Sequence, residues 1–148
     1  MTIRILLADD HALFRQALRL SLEAQPDLAV VAEADSGAAV LESFAAAAPD
    51  VVCIDVNMPG LSGIETTRQL LARHPAARVV GLSADGSPAL AAEMVAAGAR
   101  GYVIKMNAGG ELPTALRQVA GGHAFLSPDL GVGGLAELAA YLPAGRAG

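Results

Sequence analysis

Five polar side chains stand where apolar segments end. Asp9 and Asp10 follow Ile3-Arg4-Ile5-Leu6-Leu7-Ala8, Asp55 follows Val51-Val52-Cys53-Ile54, Ser83 follows Arg78-Val79-Val80-Gly81-Leu82, and Lys105 follows Gly101-Tyr102-Val103-Ile104. If those segments are parallel strands, their ends share one edge of a sheet, where the departing loops form a crevice. Three carboxylates gathered there repel one another unless a cation sits among them. A hard divalent ion with oxygen ligands meets that need, and Mg²⁺, which takes one or two carboxylates, several waters and phosphate oxygens, suits it best. The Lys105 ammonium and the Ser83 hydroxyl can then hold an anion delivered to Asp55. The chemistry this constellation suggests is phosphoryl transfer onto a carboxylate. Asp55 is the first candidate for the working residue, because Pro59-Gly60 opens a loop directly after it. The competing reading of Asp55 alone is an Asx-turn that only caps that loop.

The elements that must position these residues alternate regularly. Helical spacing recurs at Leu13, Phe14, Ala17, Leu18, Ser21 and Leu22, in Ser36-Gly37 through Val40, Leu41 and Phe44, and from about Gly63 to His74. It recurs again from Ser87-Pro88 to Gly98 and through Leu112, Leu116 and Val119. Leu28–Ala32 supplies the remaining strand, and Asp10 is the expected cap of the first helix. Alternation of this kind predicts an α/β, doubly wound, five-stranded parallel sheet with helices on both faces. From about His123 the chain is rich in Gly and Pro and reads as a linker or tail with two helical turns near Leu135–Leu142.

The bulk composition narrows the function. Hydrophobic residues are 53% and charged residues 17% of 148, which fits one globular domain. Net charge is -5 and the ten cations are scattered, so the chain by itself lacks the basic cluster that displaces counterions from nucleic acid. No apolar run spans a bilayer and no secretory layout opens the chain, so a cytoplasmic protein is expected. Cys53, the only cysteine, lies inside an apolar strand and reads as core packing. Nine of the ten cations are arginine, leaving Lys105 as the only lysine. That contrast points to a position using a compact ammonium, with chance as the rival reading.

With these residues in hand, the sequence resembles the receiver domain of bacterial two-component response regulators. The matching pieces are Leu7-Ala8-Asp9-Asp10-His11, Asp55-Val56-Asn57-Met58-Pro59-Gly60, Leu82-Ser83-Ala84 and Gly98-Ala99-Arg100-Gly101-Tyr102-Val103-Ile104-Lys105, in the family's order and spacing. The Asp-Asp-His opening and Phe125-Leu126-Ser127-Pro128 look like the NarL/FixJ, or LuxR-type, subfamily. The resemblance implies a flavodoxin-like fold over residues 1–122 and a phosphoacceptor role for Asp55, with a sensor histidine kinase as donor. It implies Mg²⁺ held by Asp10, Asp55 and the Asn57 carbonyl, with Asp9 acting through a metal-bound water. Lys105 would pair with phosphoryl oxygens, while Ser83 and Tyr102 would act as switch residues. It also implies a phosphorylation-dependent homodimer and DNA contact only through a helix-turn-helix domain beyond residue 148. Residues 123–148 would lead towards that domain. No enzymatic activity is expected beyond phosphorylation and dephosphorylation of Asp55 itself.

Other readings compete. His11 reads as a surface residue near the site, with no partner that would make it a base or a metal ligand, and Tyr102 alone as a partly buried ring with its hydroxyl in water. A stand-alone phosphorelay carrier would share the whole site. A haloacid-dehalogenase-like phosphatase uses similar groups but an Asp-x-Asp nucleophile motif after its first strand, whereas here Asp9 and Asp10 are adjacent. A nucleotide-binding module lacks its glycine fingerprint, since Ala8-Asp9-Asp10 would repel a pyrophosphate. Two departures from the family stand out: Met106 after Lys105, and the glycines of Asn107-Ala108-Gly109-Gly110, which predict a last helix that begins late and frays. Pro113 is tolerated only in a first helical turn.

Overall fold

The structure, a computed structural model, describes residues 1–142. Its sheet has six parallel strands, in the order β2-β1-β3-β4-β5-β6. These are β1 (Ile3–Ala8), β2 (Leu28–Ala34), β3 (Val51–Asp55), β4 (Val79–Ser83), β5 (Gly101–Ile104) and β6 (Phe125–Leu126). The helices are α1 (Ala12–Glu23), α2 (Gly37–Ala47), α3 (Gly63–Arg73), α4 (Pro88–Ala96), α5 (Ala108–Ala120) and α6 (Leu135–Leu138). Because β1 lies between β2 and β3, the chain leaves β1 towards one side of the sheet and later returns to the other. The crevice of such a sheet opens at that reversal, above the ends of β1 and β3. Asp9, Asp10 and Asp55 stand there.

Burial on both faces explains the composition of the strands. Every residue of β3, β4 and β5 is buried, as expected of parallel strands covered on both sides. On one face, Leu18, Leu22, Leu112 and Leu116 pack over Ile5, Leu7, Cys53 and Leu82. On the other, Val40, Leu70 and Met94 pack over Leu6, Val52, Ile54 and Tyr102. Burial pushes the Cys53 thiol up to about 12, so the residue is inert packing.

Serine caps start three helices. Ser36, Ser62 and Ser87 accept from the N–H groups of Ala39, Glu65 and Ala89 at 3.1, 3.1 and 3.2 Å. Helix α1 differs from expectation, because its N-cap is His11 and not Asp10. Asp10 therefore lies one position too early to reach the free amides of the first turn. Leu13 also departs from the sequence reading: it is 83% exposed, while Leu18 and Leu22 are buried and Phe14 is half-buried. Positions 14, 18 and 22 form one stripe, and Leu13 lies about 100° away around the helix.

The C-terminal third required the largest corrections. The sheet has six strands and not five, since Phe125 and Leu126 pair with Gly101 and Tyr102. Leu130 and Leu138 are then buried in the cluster that contains Met94 of α4. The remainder of the expected tail, 143–148, lies outside the described residues. Helix α5 does not begin late: it starts at Ala108, directly after a 3₁₀ turn over Lys105–Asn107. Gly109 and Gly110 fall in its first turn, where amides lack intrahelical partners in any sequence. Pro113 lies beyond that turn, and burial of Leu112, Pro113 and Leu116 compensates for the hydrogen bond it cannot donate.

One glycine bears directly on the site. The Gly63 N–H donates to the Val56 carbonyl at 2.8 Å, and a Cβ at Gly63 would lie 2.3 Å from the Asp55 carbonyl oxygen. Gly63→Ala is therefore expected to cost about 1–3 kcal/mol by overpacking. It should also weaken metal binding, because the peptide that moves is that of Asp55. Denaturant midpoints and a Mg²⁺ titration check both effects, and a variant of unchanged stability would contradict the contact.

Candidate functional site

Asp55 ends β3 with its side chain about 3% exposed. Its Oδ1 accepts the Asn57 N–H at 3.0 Å, so the Asx-turn is present. Its Oδ2 lies 3.1 Å from the Lys105 Nζ, so the turn and the charged site coexist on one carboxylate. Burial raises the proton affinity of Asp55 above the usual carboxylate range, against the opposing pull of the Asn57 N–H and Lys105.

Asp9 is fully buried at the end of β1. Its Oδ1 accepts the His11 N–H at 2.8 Å, and its Oδ2 lies 3.0 Å from Lys105 Nζ. The ammonium thus bridges Asp9 and Asp55, and it rests 4.6 Å from the centre of the Phe14 ring. Burial alone would lower the proton affinity of Lys105, but its pairing with Asp9 and Asp55 outweighs burial and raises that affinity. Lys105 is therefore a firmly held positive charge between two carboxylates.

Asp10 stands beside this pair with its side chain 24% exposed, and its Oδ1 is buried without a hydrogen-bond donor. Asp9 Oδ2 likewise has only the ion-pair contact with Lys105 and no well-directed hydrogen bond. One ligand atom from each of Asp9, Asp10, His11 and Asp55 falls within 4.8 Å of the others. Oxygen donors with unfilled lone pairs fit a hard cation such as Mg²⁺. His11 is a surface residue near the site, as expected, with its side chain 68% exposed, but it also has acidic partners, its Nδ1 lying 3.3 Å from Asp9 Oδ1 and 3.5 Å from Asp10 Oδ1. Its position next to the acid pair in sequence was the available signal. Asn57 is exposed at the rim and anchored through its N–H.

The two expected switch residues meet at one loop residue that the sequence did not single out. Ser83 is buried, and its Oγ accepts the Asp85 N–H at 3.0 Å. Tyr102 is fully buried rather than wet at its tip, and its hydroxyl donates to the Asp85 carbonyl at 2.9 Å. Burial raises the Tyr102 proton affinity, with the neighbouring Ser83 opposing that shift. Gly81 makes room for Met94 of α4, since a Cβ there would lie 2.9 Å from the Met94 Cγ, while the Tyr102 ring would be at ordinary contact distance. Arg15 was also missed: it donates to the Asp9 carbonyl and pairs with Glu33 at 2.9 Å, tying the end of β1 to β2.

An expected result follows from the unfilled oxygens. Mg²⁺ at a hundred times its dissociation constant should stabilise the protein by about 2.7 kcal/mol. Asp10→Ala should remove most of that response while leaving the metal-free protein folded. Thermal melts with and without chelator provide the check, and an unchanged response in the variant would place the ion elsewhere.

Comparison with known proteins agrees with this geometry. Residues 5–117 match the response regulator receiver domain. The response regulator GacA of Pseudomonas viridiflava is 38% identical over 128 residues, covering 86% of this chain and 60% of GacA. The DNA-binding transcriptional activator DevR/DosR of Mycobacterium tuberculosis is 40% identical over 124 residues, covering 84% of this chain and 57% of the relative. This chain thus spans a little over half the length of these curated relatives. Among solved structures, a two-component response regulator of the LuxR family from an Aurantimonas species superposes with a TM-score of 0.87 at 35% identity. That match covers 95% of this chain and 99% of the other. No helix among the described residues is long and apolar enough to cross a membrane.

Proposed function

Because the chain belongs to the response regulator receiver domain family, we propose that it works in the cytoplasm, accepts a phosphoryl group on Asp55 from a sensor histidine kinase and changes conformation in response. The observation that carries this reading is Lys105 Nζ held 3.0 Å from Asp9 and 3.1 Å from Asp55, beside an Asp10 oxygen that is buried without a hydrogen bond. In the transfer, an Asp55 oxygen forms a bond to phosphorus as the bond from phosphorus to the donor imidazole breaks, and the imidazole leaves with the electron pair. Mg²⁺ held by Asp10, Asp55 and the Asn57 carbonyl, with Asp9 contacting it through water, would offset the charge of the incoming phosphoryl oxygens. Lys105 supplies the second positive charge. The Ser83 Oγ accepts from Asp85, which leaves its proton free to be donated to a phosphoryl oxygen. A Ser83 hydroxyl drawn to the phosphoryl group would pull on Asp85, and Tyr102 holds that same residue.

We propose no turnover of external substrates, only gain and loss of phosphoryl on Asp55. The output we propose is transcriptional, through self-association at the surface of α4, β5 and α5 and through a DNA-binding domain acting with this one. DNA binding is not assigned to these residues, whose net charge is -5. The test is incubation with a small phosphodonor, with and without Mg²⁺, read by intact mass. Mg²⁺-dependent gain of one phosphoryl group is expected, and its absence would refute the assignment.

A further inference from the structure

Ser127 is a fully buried hydroxyl that the chemistry above does not use. It lies just past β6, where Pro128 turns the chain away from the sheet. Pairing with β5 nevertheless continues for one more step. The Ser127 N–H donates to the Tyr102 carbonyl at 2.9 Å. The Ser127 Oγ then accepts the Ile104 N–H at 2.9 Å, standing where a longer strand would present its next carbonyl. The hydroxyl proton goes to the Glu111 carboxylate of α5, so its accepting and donating roles are both assigned. Farther along, the Asn107 side-chain amide donates to Asp129 at 2.9 Å. The turn carrying Lys105 is therefore gripped before and after that residue by positions 127 and 129.

We propose that Ser127 is a positioning residue for Lys105, and that residues 127–129 link the Asp55 site directly to the C-terminal segment. This rests on the reading of Asp55 as phosphoacceptor. Lys105 reaches its two carboxylates only from a particular orientation of the Ile104–Lys105 peptide, and the Ser127 hydroxyl holds the N–H preceding that peptide. By the same bond, a Lys105 drawn to a phosphoryl group displaces Ser127. That route to the rest of the molecule bypasses Ser83, Asp85 and Tyr102. It leads into the segment that buries Leu130 and Leu138 against α4.

The test uses the whole 148-residue chain with Mg²⁺ and with beryllofluoride as the phosphoryl analogue. Mg²⁺ affinity reads Asp10 and Asp55, whereas analogue affinity at saturating Mg²⁺ also reads Lys105. Ser127→Ala is expected to weaken the analogue about tenfold, equivalent to about 1.4 kcal/mol, with Mg²⁺ affinity unchanged. Ser127→Thr keeps the hydroxyl and should recover most of the loss. In the unaltered chain, the Ile104, Ser127 and Asp129 amide resonances should move when the analogue is added. Unchanged analogue affinity in Ser127→Ala, or equal loss of both affinities, would overturn the proposal. Should that variant not fold, stationary Ile104 and Ser127 resonances in the unaltered chain would overturn it. If the unaltered chain binds Mg²⁺ but not the analogue, the phosphoacceptor reading itself falls.

Discussion

Asp55→Asn is expected to abolish phosphoryl uptake completely while making the metal-free protein more stable. An amide nitrogen has no lone pair available for attack on phosphorus, and the amide oxygen is a far weaker nucleophile than a carboxylate. The shape is retained, so the Asn57 N–H at 3.0 Å keeps an acceptor. The stability change has the opposite sign from that of most core substitutions because the wild-type carboxylate is buried beside Asp9. Burial raises its proton affinity in the folded state even with Lys105 3.1 Å away. A carboxyl group whose proton affinity is higher folded than unfolded costs nothing at low pH, where both states are protonated. It costs stability as pH rises past the unfolded-state value. The gain from Asp55→Asn should therefore be present at neutral pH in chelator and vanish towards low pH. Mg²⁺ should reverse the order, stabilising wild type and not the variant. Melts across pH with and without Mg²⁺, together with intact mass after phosphodonor treatment, test this. A variant that still gains phosphoryl would remove Asp55 from the mechanism, and one less stable than wild type in chelator would contradict the burial argument.

Lys105→Arg is the second large effect. The charge is conserved, but the site is built for a compact ammonium. Nζ touches Asp9 and Asp55 at 3.0 and 3.1 Å with Phe14 behind it, and only 15% of the side chain is exposed. A guanidinium is a planar fork that spreads its charge over three nitrogens. Inserted here, it must displace Phe14 or enter the space of the incoming phosphoryl group. Analogue affinity should fall by at least about tenfold, or about 1.4 kcal/mol. Mg²⁺ affinity should change little, because Asp10 and Asp55 remain. Phosphorylation-dependent self-association should be lost even where some phosphoryl uptake persists. Wild-type behaviour in both measurements would mean that Lys105 contributes charge alone, without regard to shape.

The candidate site was legible before the fold because each of its groups is the last residue of an apolar segment or its neighbour. Asp9, Asp10, Asp55, Ser83 and Lys105 declare themselves by local contrast, and parallel strands oblige them to converge. The helix starts at Ser36 and Ser87 were equally local. Expectations failed where local preference competed with packing. The glycines after Asn107 suggested a late helix, but burial of Ala108 and Leu112 starts α5 at once. Leu13 looked like core but faces solvent, because the stripe through Phe14, Leu18 and Leu22 already occupies the sheet side.

The sequence alone determined the order of the first five strands and the five helices among them, and the edge at which the acids gather. These follow from periodicity and from the residue at each strand end, both of which act over a few positions. Only the tertiary structure decided that Lys105 bridges Asp9 as well as Asp55, that Asp85 joins Ser83 to Tyr102, and that Ser127 completes the edge of β5. Those partners are separated by up to 96 positions in the chain, as for Asp9 and Lys105 (105 minus 9). No local pattern specifies such pairs, because they depend on strand register and on which buried donor is left without an acceptor. The Ile104 N–H is such a donor, and its need is met by a side chain that composition assigned to a tail.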